Sequence, residues 1–355
     1  MSARDGLVLA DLEGAAVEAA LAPHGVPAHV ARQIRKVVLR QGVLPSWLPT
    51  VGARRLDVVR PLIRIPRLRQ EARHEARDGF VKYLFRTEGA EGCFEAVRIP
   101  LLHVPGDEKY VVCISSQVGC ALGCVFCATG RLGFVRNLAT WEMVDQVVQV
   151  AAEAPHPVAG VVFMGMGEPL LNYEAVMRAA RIMAEPCGLA ISGKAITIST
   201  AGIAPAIRRM AEERLPFRLV VSLTSADPAQ RGALMPVERR HPLAELREAL
   251  QVYHNALRRR VTLAWIMVDG VNVGEEQARA LAAWTAGLPV KIDLLDVNDP
   301  DGVYRPPSDA GRNAFHDALR KHLAAPVARR YSGGAEIRAA CGMLAGNGWG
   351  AGALR

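Results

Sequence analysis

From Tyr110 onward the chain alternates between short apolar runs of β-forming residues and longer stretches with apolar positions every three or four residues. The apolar runs are YVVCIS, AGVVFMG, KAITIS, FRLVVSL, RVTLAWIMV and VKIDLLDV, and the helical patterns begin near Trp141, Tyr173, Ile203, Leu243, Glu275 and Asp309. Strands this apolar need cover on both faces, and an amphipathic helix after each one predicts a parallel sheet with helices packed outside it. Six such units fall short of a closed eight-unit barrel, so the α/β fold is expected to be either a partial barrel or a doubly wound sheet. Both place their chemistry at the carboxyl ends of the strands.

Upstream the pattern changes. GAAVEAALAPHG and PAHVARQIRKVVLRQG read as two short helices, giving a small helical unit that ends near Arg77. FVKYLFRT and CFEAVRIP follow as a pair of strands joined by EGAEG. The expected division is a basic helical unit over residues 1–78, a β extension over 79–105, the repeated α/β core over 106–336 and a C-terminal segment over 337–355.

Composition narrows the class. A chain of 355 residues, half of them hydrophobic, can bury a large core. No apolar run is long enough to span a membrane, and the N-terminus MSARDGLVLADLEG places acids where a signal peptide would be apolar, so a soluble cytoplasmic protein is expected. The formal charge is +8, and residues 1–77 carry 13 Lys+Arg against 7 Asp+Glu, so most of the excess lies in the first fifth of the chain. Seven arginines fall between Arg54 and Arg73, a footprint that suits either phosphate contacts with a nucleic acid or a solvated basic face.

Four of the seven cysteines lie between Cys113 and Cys127. In a reducing compartment a disulfide framework is not expected, and clustered cysteines point to metal binding or catalysis. Cys120, Cys124 and Cys127 form CxxxCxxC just after the first core strand. Soft thiolates select zinc or iron–sulfur, and a structural zinc site needs a fourth ligand, normally from a second pair that is missing here. Three ligands from one loop suit an iron–sulfur cluster with one iron left open.

That spacing is the signature of the radical S-adenosylmethionine (SAM) enzymes, and CISSQVGCALGCVFCATG, FMGMGEPLLN and AACGMLAG together resemble the adenine-carbon-2 methyltransferases of 23S ribosomal RNA and their carbon-8 relatives. The resemblance runs from about Phe80 to Gly346. It implies a partial six-unit barrel, a [4Fe-4S] cluster on Cys120, Cys124 and Cys127, and SAM as cofactor. It further implies that Cys341 carries a methyl group as S-methylcysteine, that Cys113 resolves the protein–RNA adduct by forming a transient disulfide with Cys341, and that Glu95 accepts a ring proton. Gly167 and Glu168 match the clamp on the SAM amino group, and Ser199, Ser222, Leu223, Thr224 and Asn298 match its other contacts. Cys93 and Cys187 match no functional position. The implied partners are RNA, from 23S rRNA and also tRNA, and an electron donor such as flavodoxin or ferredoxin, with the chain acting as a monomer.

The chain departs from the pattern at several places. Thr224 replaces a histidine, IDLLDVNDP with Asp293 replaces a run of the form INLIPxNP, and RYSGGAEI around Tyr331 replaces RTRGDDI beside the carrier. About five extra residues within LLHVPGDEKY separate the Glu95 strand from Cys113, which leaves an exposed strand glutamate as the other reading of Glu95. Three further readings stay open: carbon-8 chemistry, a radical SAM enzyme of different substrate, and a noncatalytic RNA-binding iron–sulfur protein. The Cys113 and Cys341 pair counts against the last.

Overall fold

The computed structural model describes residues 6–101, 105–299 and 301–345. Part of the LLHVPGDEKY insertion, Gly346 of the AACGMLAG motif and the remaining C-terminal residues lie outside the described residues.

Ten strands form one sheet: β1 (Arg69–Glu75), β2 (Val81–Arg86), β3 (Cys93–Leu101), β4 (Lys109–Cys113), β5 (Val158–Phe163), β6 (Ile196–Thr200), β7 (Arg218–Ser222), β8 (Val261–Met267), β9 (Val290–Asp296) and β10 (Val327–Arg329). Their order in space is their order in sequence. β1 to β4 pair antiparallel, and β4 to β10 pair parallel. The fold is the expected α/β partial barrel with a small helical N-terminal unit. It carries one parallel strand more than the sequence pattern shows, because β10 is only three residues long and is not purely apolar. Arg69–Glu75, expected inside the N-terminal unit, pairs with β2 and so belongs to the large sheet.

Within the parallel strands the two faces differ. Val161, Phe163, Ile196, Ile198, Leu219, Val221, Leu263, Trp265, Ile292 and Leu294 are fully buried in the main core, while Val162, Ser199, Val220, Ser222, Thr262 and Lys291 between them are only half buried. Side chains alternate across a strand, so the second set shares one face, small and polar enough to line an accessible lumen. Register puts Cys113 beside Val162 on that face, and Val97 and Glu95 of β3 with it. Between the strands run α1 (Thr140–Glu153), α2 (Tyr173–Ala184), α3 (Ala204–Glu212), α4 (Leu243–Leu257), α5 (Glu275–Thr285) and α6 (Asp309–His322).

The segment after β10 shows that the sheet is curled. Tyr331, two residues beyond β10, hydrogen-bonds Asp78 in the turn between β1 and β2. In a flat sheet eight spacings of about 4.8 Å would put about 38 Å between β10 and β2, whereas two residues reach about 7 Å. The segment continues along the opposite edge: Glu336 accepts from the Arg77 N–H, the Arg338 carbonyl accepts from Lys82 Nζ at 3.3 Å, and the Ala345 N–H donates to Glu95 Oε2 at 3.1 Å. It is a strap across the gap of an open barrel.

The N-terminal unit has its own core, built from Leu9, Val17, Leu21, Val30, Ile34, Val38, Leu56 and Val59. Polar contacts fix it to the barrel: the Trp141 N–H donates to Asp11 at 2.8 Å, buried Arg35 pairs with Glu185, and Arg40 donates to the Gly188 carbonyl.

Candidate active site

The site is assembled at the carboxyl ends of β4 to β9. Ser115, just past β4, organises it. Its hydroxyl donates to the Glu95 carbonyl at 2.6 Å and accepts from the Met166 N–H at 2.9 Å, tying β3 to the loop after β5. Asn172 donates to the carbonyls of Ser116 and Leu138, and the Gln117 amide oxygen accepts from the Glu168 N–H. The motifs CISSQ and GMGEPLLN are therefore two halves of one hydrogen-bonded unit. Gly167 sits at φ +100°, and a Cβ there would fall 2.5 Å from the Gln117 side chain, so only glycine fits.

Cys120, Cys124 and Cys127 lie on the loop that leaves this unit, next to a short ribbon of Gln117–Gly119 and Phe134–Asn137. The Cys120 N–H donates to the Gly133 carbonyl at 2.9 Å. Burial, countered in part by the Leu122 N–H, pushes the Cys120 thiol up to about 12. Cys124 is raised as well, by burial first and then by the neighbouring Cys127 and Cys120. The three thiols are therefore near enough to disfavour one another's ionisation. Among the described residues no three His, Cys, Asp or Glu side chains converge closely enough for a single metal ion. Three neighbouring thiols of one loop that do not meet at a point fit a cuboidal cluster, whose irons are held at separate corners.

Glu168 is buried, and its two oxygens accept from the N–H groups of Leu170 at 3.0 Å and Ala201 at 2.8 Å. Burial nevertheless raises it to about 7, the hydrogen bonds from Ala201, Thr200 and Leu170 opposing the shift. Ser199 and Ser222 end β6 and β7 on the lumen face, half buried. Leu223 is fully buried, with its N–H on the Ala264 carbonyl and its own carbonyl on Arg231 Nε, so it has little left to offer a ligand. Thr224 is different. It is fully buried at φ +62°, a left-handed conformation that is strained for a β-branched residue, and its Oγ1 has no hydrogen-bond partner. A strained residue with an orphaned hydroxyl at a strand end is what a polar ligand such as SAM would complete.

Cys341 is reached through the strap. Its N–H donates to Ser332 Oγ at 3.2 Å, its carbonyl accepts from Asn298 Nδ2 at 3.3 Å, and Asn298 Nδ2 also lies 3.2 Å from Ser332 Oγ. The Gly342 carbonyl accepts from the Ala128 N–H, and the Leu344 carbonyl accepts from the Thr129 hydroxyl, which docks the strap on the helical turn following Cys127. Cys341 opens to solvent at the barrel mouth yet is ringed by protein, and that surrounding density raises its thiol, as does nearby Cys127. Cys113, buried at the end of β4, is raised by burial and then by Cys341. Cys341 thus stands within electrostatic reach of both Cys113 and the cluster thiols, and all seven cysteines are free.

Glu95 is fully buried. Its carboxylate pairs with the equally buried Lys82 at 3.2 Å and receives the Ala345 N–H, so the exposed-glutamate reading is set aside. Sequence reasoning missed Lys82, although a lone lysine inside the apolar run FVKYLF was a usable signal. It missed Ser332 and Arg231 as well. Arg231 is fully buried and joins Glu238 to the carbonyls of Ala201 and Leu223, at the two strand ends that flank Glu168 and Thr224. Nothing local in the sequence marks either residue. Cys93 lies buried in β3, and Cys187 accepts a hydrogen bond from Arg35 at the N-terminal contact, both away from the mouth.

The radical SAM superfamily model matches residues 114–282. A probable RNA methyltransferase of Anaeromyxobacter sp. strain Fw109-5 is 48% identical, over 90% of this chain and 94% of its own length. The same strain has a dual-specificity RNA methyltransferase RlmN that is 36% identical, over 86% of this chain and 84% of its own length. A radical SAM methyltransferase from Sphaerobacter thermophilus, solved by crystallography, superposes with a TM-score of 0.85 at 38% identity, covering 95% of this chain and 99% of that one. The chain belongs to the radical SAM RNA methyltransferases related to RlmN. As a member it is an enzyme that methylates RNA with a [4Fe-4S] cluster and SAM. No helix among the described residues is long and apolar enough to cross a membrane.

Proposed function

We propose that the chain methylates a ring carbon of an adenosine, carbon 2, in 23S rRNA and also in tRNA, through a methyl group carried on Cys341. The observation that supports this reading is that Ser332 and Asn298 hold the backbone of Cys341 on a segment whose next residues bond Ala128 and Thr129, directly after the cluster-loop Cys127. Carbon 2 is an electron-poor amidine carbon and cannot take a methyl group from SAM as a nucleophile would. With the cluster held by Cys120, Cys124 and Cys127, SAM would supply a 5′-deoxyadenosyl radical.

The remaining steps fall to residues of this chain. Cys120, Cys124 and Cys127 hold the cluster. Glu168 accepts from the SAM amino group, with Ser199, Ser222, Thr224 and Asn298 around the rest, and Gly167 lets the backbone approach. Cys341 would take a methyl group from one SAM onto its sulfur, S-adenosylhomocysteine leaving. Once that methyl group has lost a hydrogen atom to the radical from a second SAM, its carbon would bond to the ring carbon, and the adduct would give up one electron with the ring proton. Glu95 accepts the ring proton, with Lys82 balancing its charge while it waits. The Cys113 thiolate then attacks the Cys341 sulfur, a Cys113–Cys341 disulfide forms, and the carbon released from sulfur keeps the bonding pair and takes up a proton to become the methyl group of the RNA. The electron donor is a flavodoxin or ferredoxin, and the chain works as a cytoplasmic monomer with residues 1–78 as an RNA-binding accessory unit.

Changing Cys113 to Ala tests this. The variant is expected to join RNA and then stall, giving a nuclease-sensitive shifted band on a denaturing gel, while Cys341→Ala gives no adduct. Normal turnover by Cys113→Ala would leave only the radical SAM assignment.

A second reading rests on the Anaeromyxobacter pair. The strain that has an RlmN also has the nearer relative of this chain, and two enzymes with one target would be redundant. This favours a different adenosine, or carbon 8, as the target. Mass spectrometry of digested rRNA and tRNA from cells with and without the gene separates the readings.

A further inference from the structure

The strap leaves one aromatic ring in the open. Tyr331 is 79% exposed, the highest value among the large hydrophobic side chains of the described residues. The ring is nevertheless held. It meets Phe80 edge-on, with centroids 6.3 Å apart at 70°, and its hydroxyl donates to Asp78 Oδ2 at 3.0 Å. The same carboxylate oxygen accepts from the Gly334 N–H at 2.8 Å. The next residue in sequence is Ser332, whose hydroxyl sets Cys341. A fixed ring with a free surface therefore stands one residue from the group that positions the proposed carrier.

Its surroundings are cationic. The side chains of Arg330 and Arg329 are 57% and 52% exposed; Arg330 pairs with Asp293 at 2.8 Å, Arg329 pairs with Asp296 at 3.3 Å, and each keeps further N–H donors for solvent. Arg77, 97% exposed, lies just before Asp78. An exposed aromatic face with partly exposed guanidinium groups on the adjoining residues of the chain is complementary to an unstacked base between phosphates. Such a base must exist during the reaction, because an enzyme that works on a ring carbon takes its target out of the stack and strips the neighbouring base of its partner.

We propose that Tyr331 is the stacking platform for a nucleotide adjoining the target adenosine, with Arg329 and Arg330 adding weaker contacts to the flanking phosphates through the N–H groups that Asp296 and Asp293 leave free. The proposal rests on RNA being the substrate. It makes Tyr331 an RNA-binding residue at the place where this chain departs from the RTRGDDI form that the resemblance implies.

The test uses the full-length, cluster-loaded protein and a dye-labelled single-stranded RNA of twelve alternating adenosines and uridines, read by fluorescence anisotropy. Tyr331→Ala should weaken binding about tenfold, the size of one base–aromatic stack. Tyr331→Phe and Tyr331→Trp keep a ring and should stay within about threefold of the parent. The same oligonucleotide with abasic positions should bind the parent and Tyr331→Ala alike. In the methylation assay KM for RNA should rise with kcat unchanged. Asp78→Asn, which frees the ring without removing it, should give a smaller loss and guards against misfolding of the alanine variant. Parental affinity in Tyr331→Ala overturns the proposal. So does an equal loss on abasic RNA, or unchanged RNA binding with slower reduction by a flavodoxin, which would make the patch a protein-docking surface. Failure of the parent to bind any RNA would instead remove the premise, and the proposal with it.

Discussion

Glu168 shows how one side chain couples the site to pH. Its carboxyl lies near 7, well above the ordinary 4.5, because burial outweighs the hydrogen bonds from Ala201, Thr200 and Leu170. Below that value it is protonated in the folded protein, and above it the charge is present without a cation. Between 4.5 and 7 the unfolded chain releases the proton while the folded one keeps it, so this group costs stability as pH rises through that window. An amino group from SAM is best received by the ionised form. Affinity for SAM should therefore rise by close to tenfold per pH unit as pH climbs towards 7 and level off above it, with a proton released on binding below 7. Calorimetric titration at pH 6 and pH 8 in two buffers of different ionisation heat measures both quantities. Glu168→Gln should bind weakly and without that slope; an unchanged pH profile in the variant would take Glu168 out of the clamp.

At the scale of elements, the strap from Arg330 to Ala345 is what converts an open sheet into a site. It is held at Asp78, Lys82 and Glu95 on one side and at Ala128 and Thr129 on the other, and it uses a glycine where no other residue fits. Gly334 lies at φ +72°, and a Cβ there would come within 2.8 Å of Ala339 and 3.0 Å of Phe80. Gly334→Val should cost about 1–3 kcal/mol locally and lift the strap while the barrel stays folded. Hydrogen exchange at Ala339 and Ala345 should speed up, iron content should hold, and methylation should fail; unaltered exchange would show that the strap tolerates the change. The motif AACGMLAG marked Cys341 in the sequence, but the contacts that hold the strap were not legible there. The alternation of strands and helices could be read because each helix-facing strand position, such as Ile198, Val221 or Ile292, must be apolar whatever the chemistry. The cluster loop could be read because CxxxCxxC is local. RYSGGAEI has neither a period nor a local motif, and its partners Asp78, Phe80 and Lys82 lie some 250 residues away in the chain. β10 escaped because a three-residue strand is too short to show alternation.

For the whole molecule the question is how a chain of net charge +8 meets a polyanion. The run from Arg54 to Arg73 suits either phosphate contacts or a solvated basic face by its sequence, and the fold divides it. Arg67 pairs with Asp145 at 2.8 Å, Arg69 with Glu71 at 3.4 Å, and Arg73 with Glu75 at 2.8 Å and Glu153 at 3.3 Å. Arg60 spends two of its nitrogens on the carbonyls of Leu44 and Pro45. Arg54 and Arg55 are exposed at the start of the helix Ala53–Val59. An arginine already beside a carboxylate gains less from a phosphate and releases little counterion, whereas an exposed one releases close to its full share. Neutralising Arg54 and Arg55 together should therefore flatten the plot of log affinity against log salt by about 0.7 per residue on single-stranded RNA, and Arg69→Gln with Arg73→Gln should change it much less. Titration of the two double variants between about 50 and 200 mM salt reads the difference. Equal slopes would mean that RNA binding breaks the pairs made by Arg69 and Arg73, and that the basic stretch acts as one surface after all.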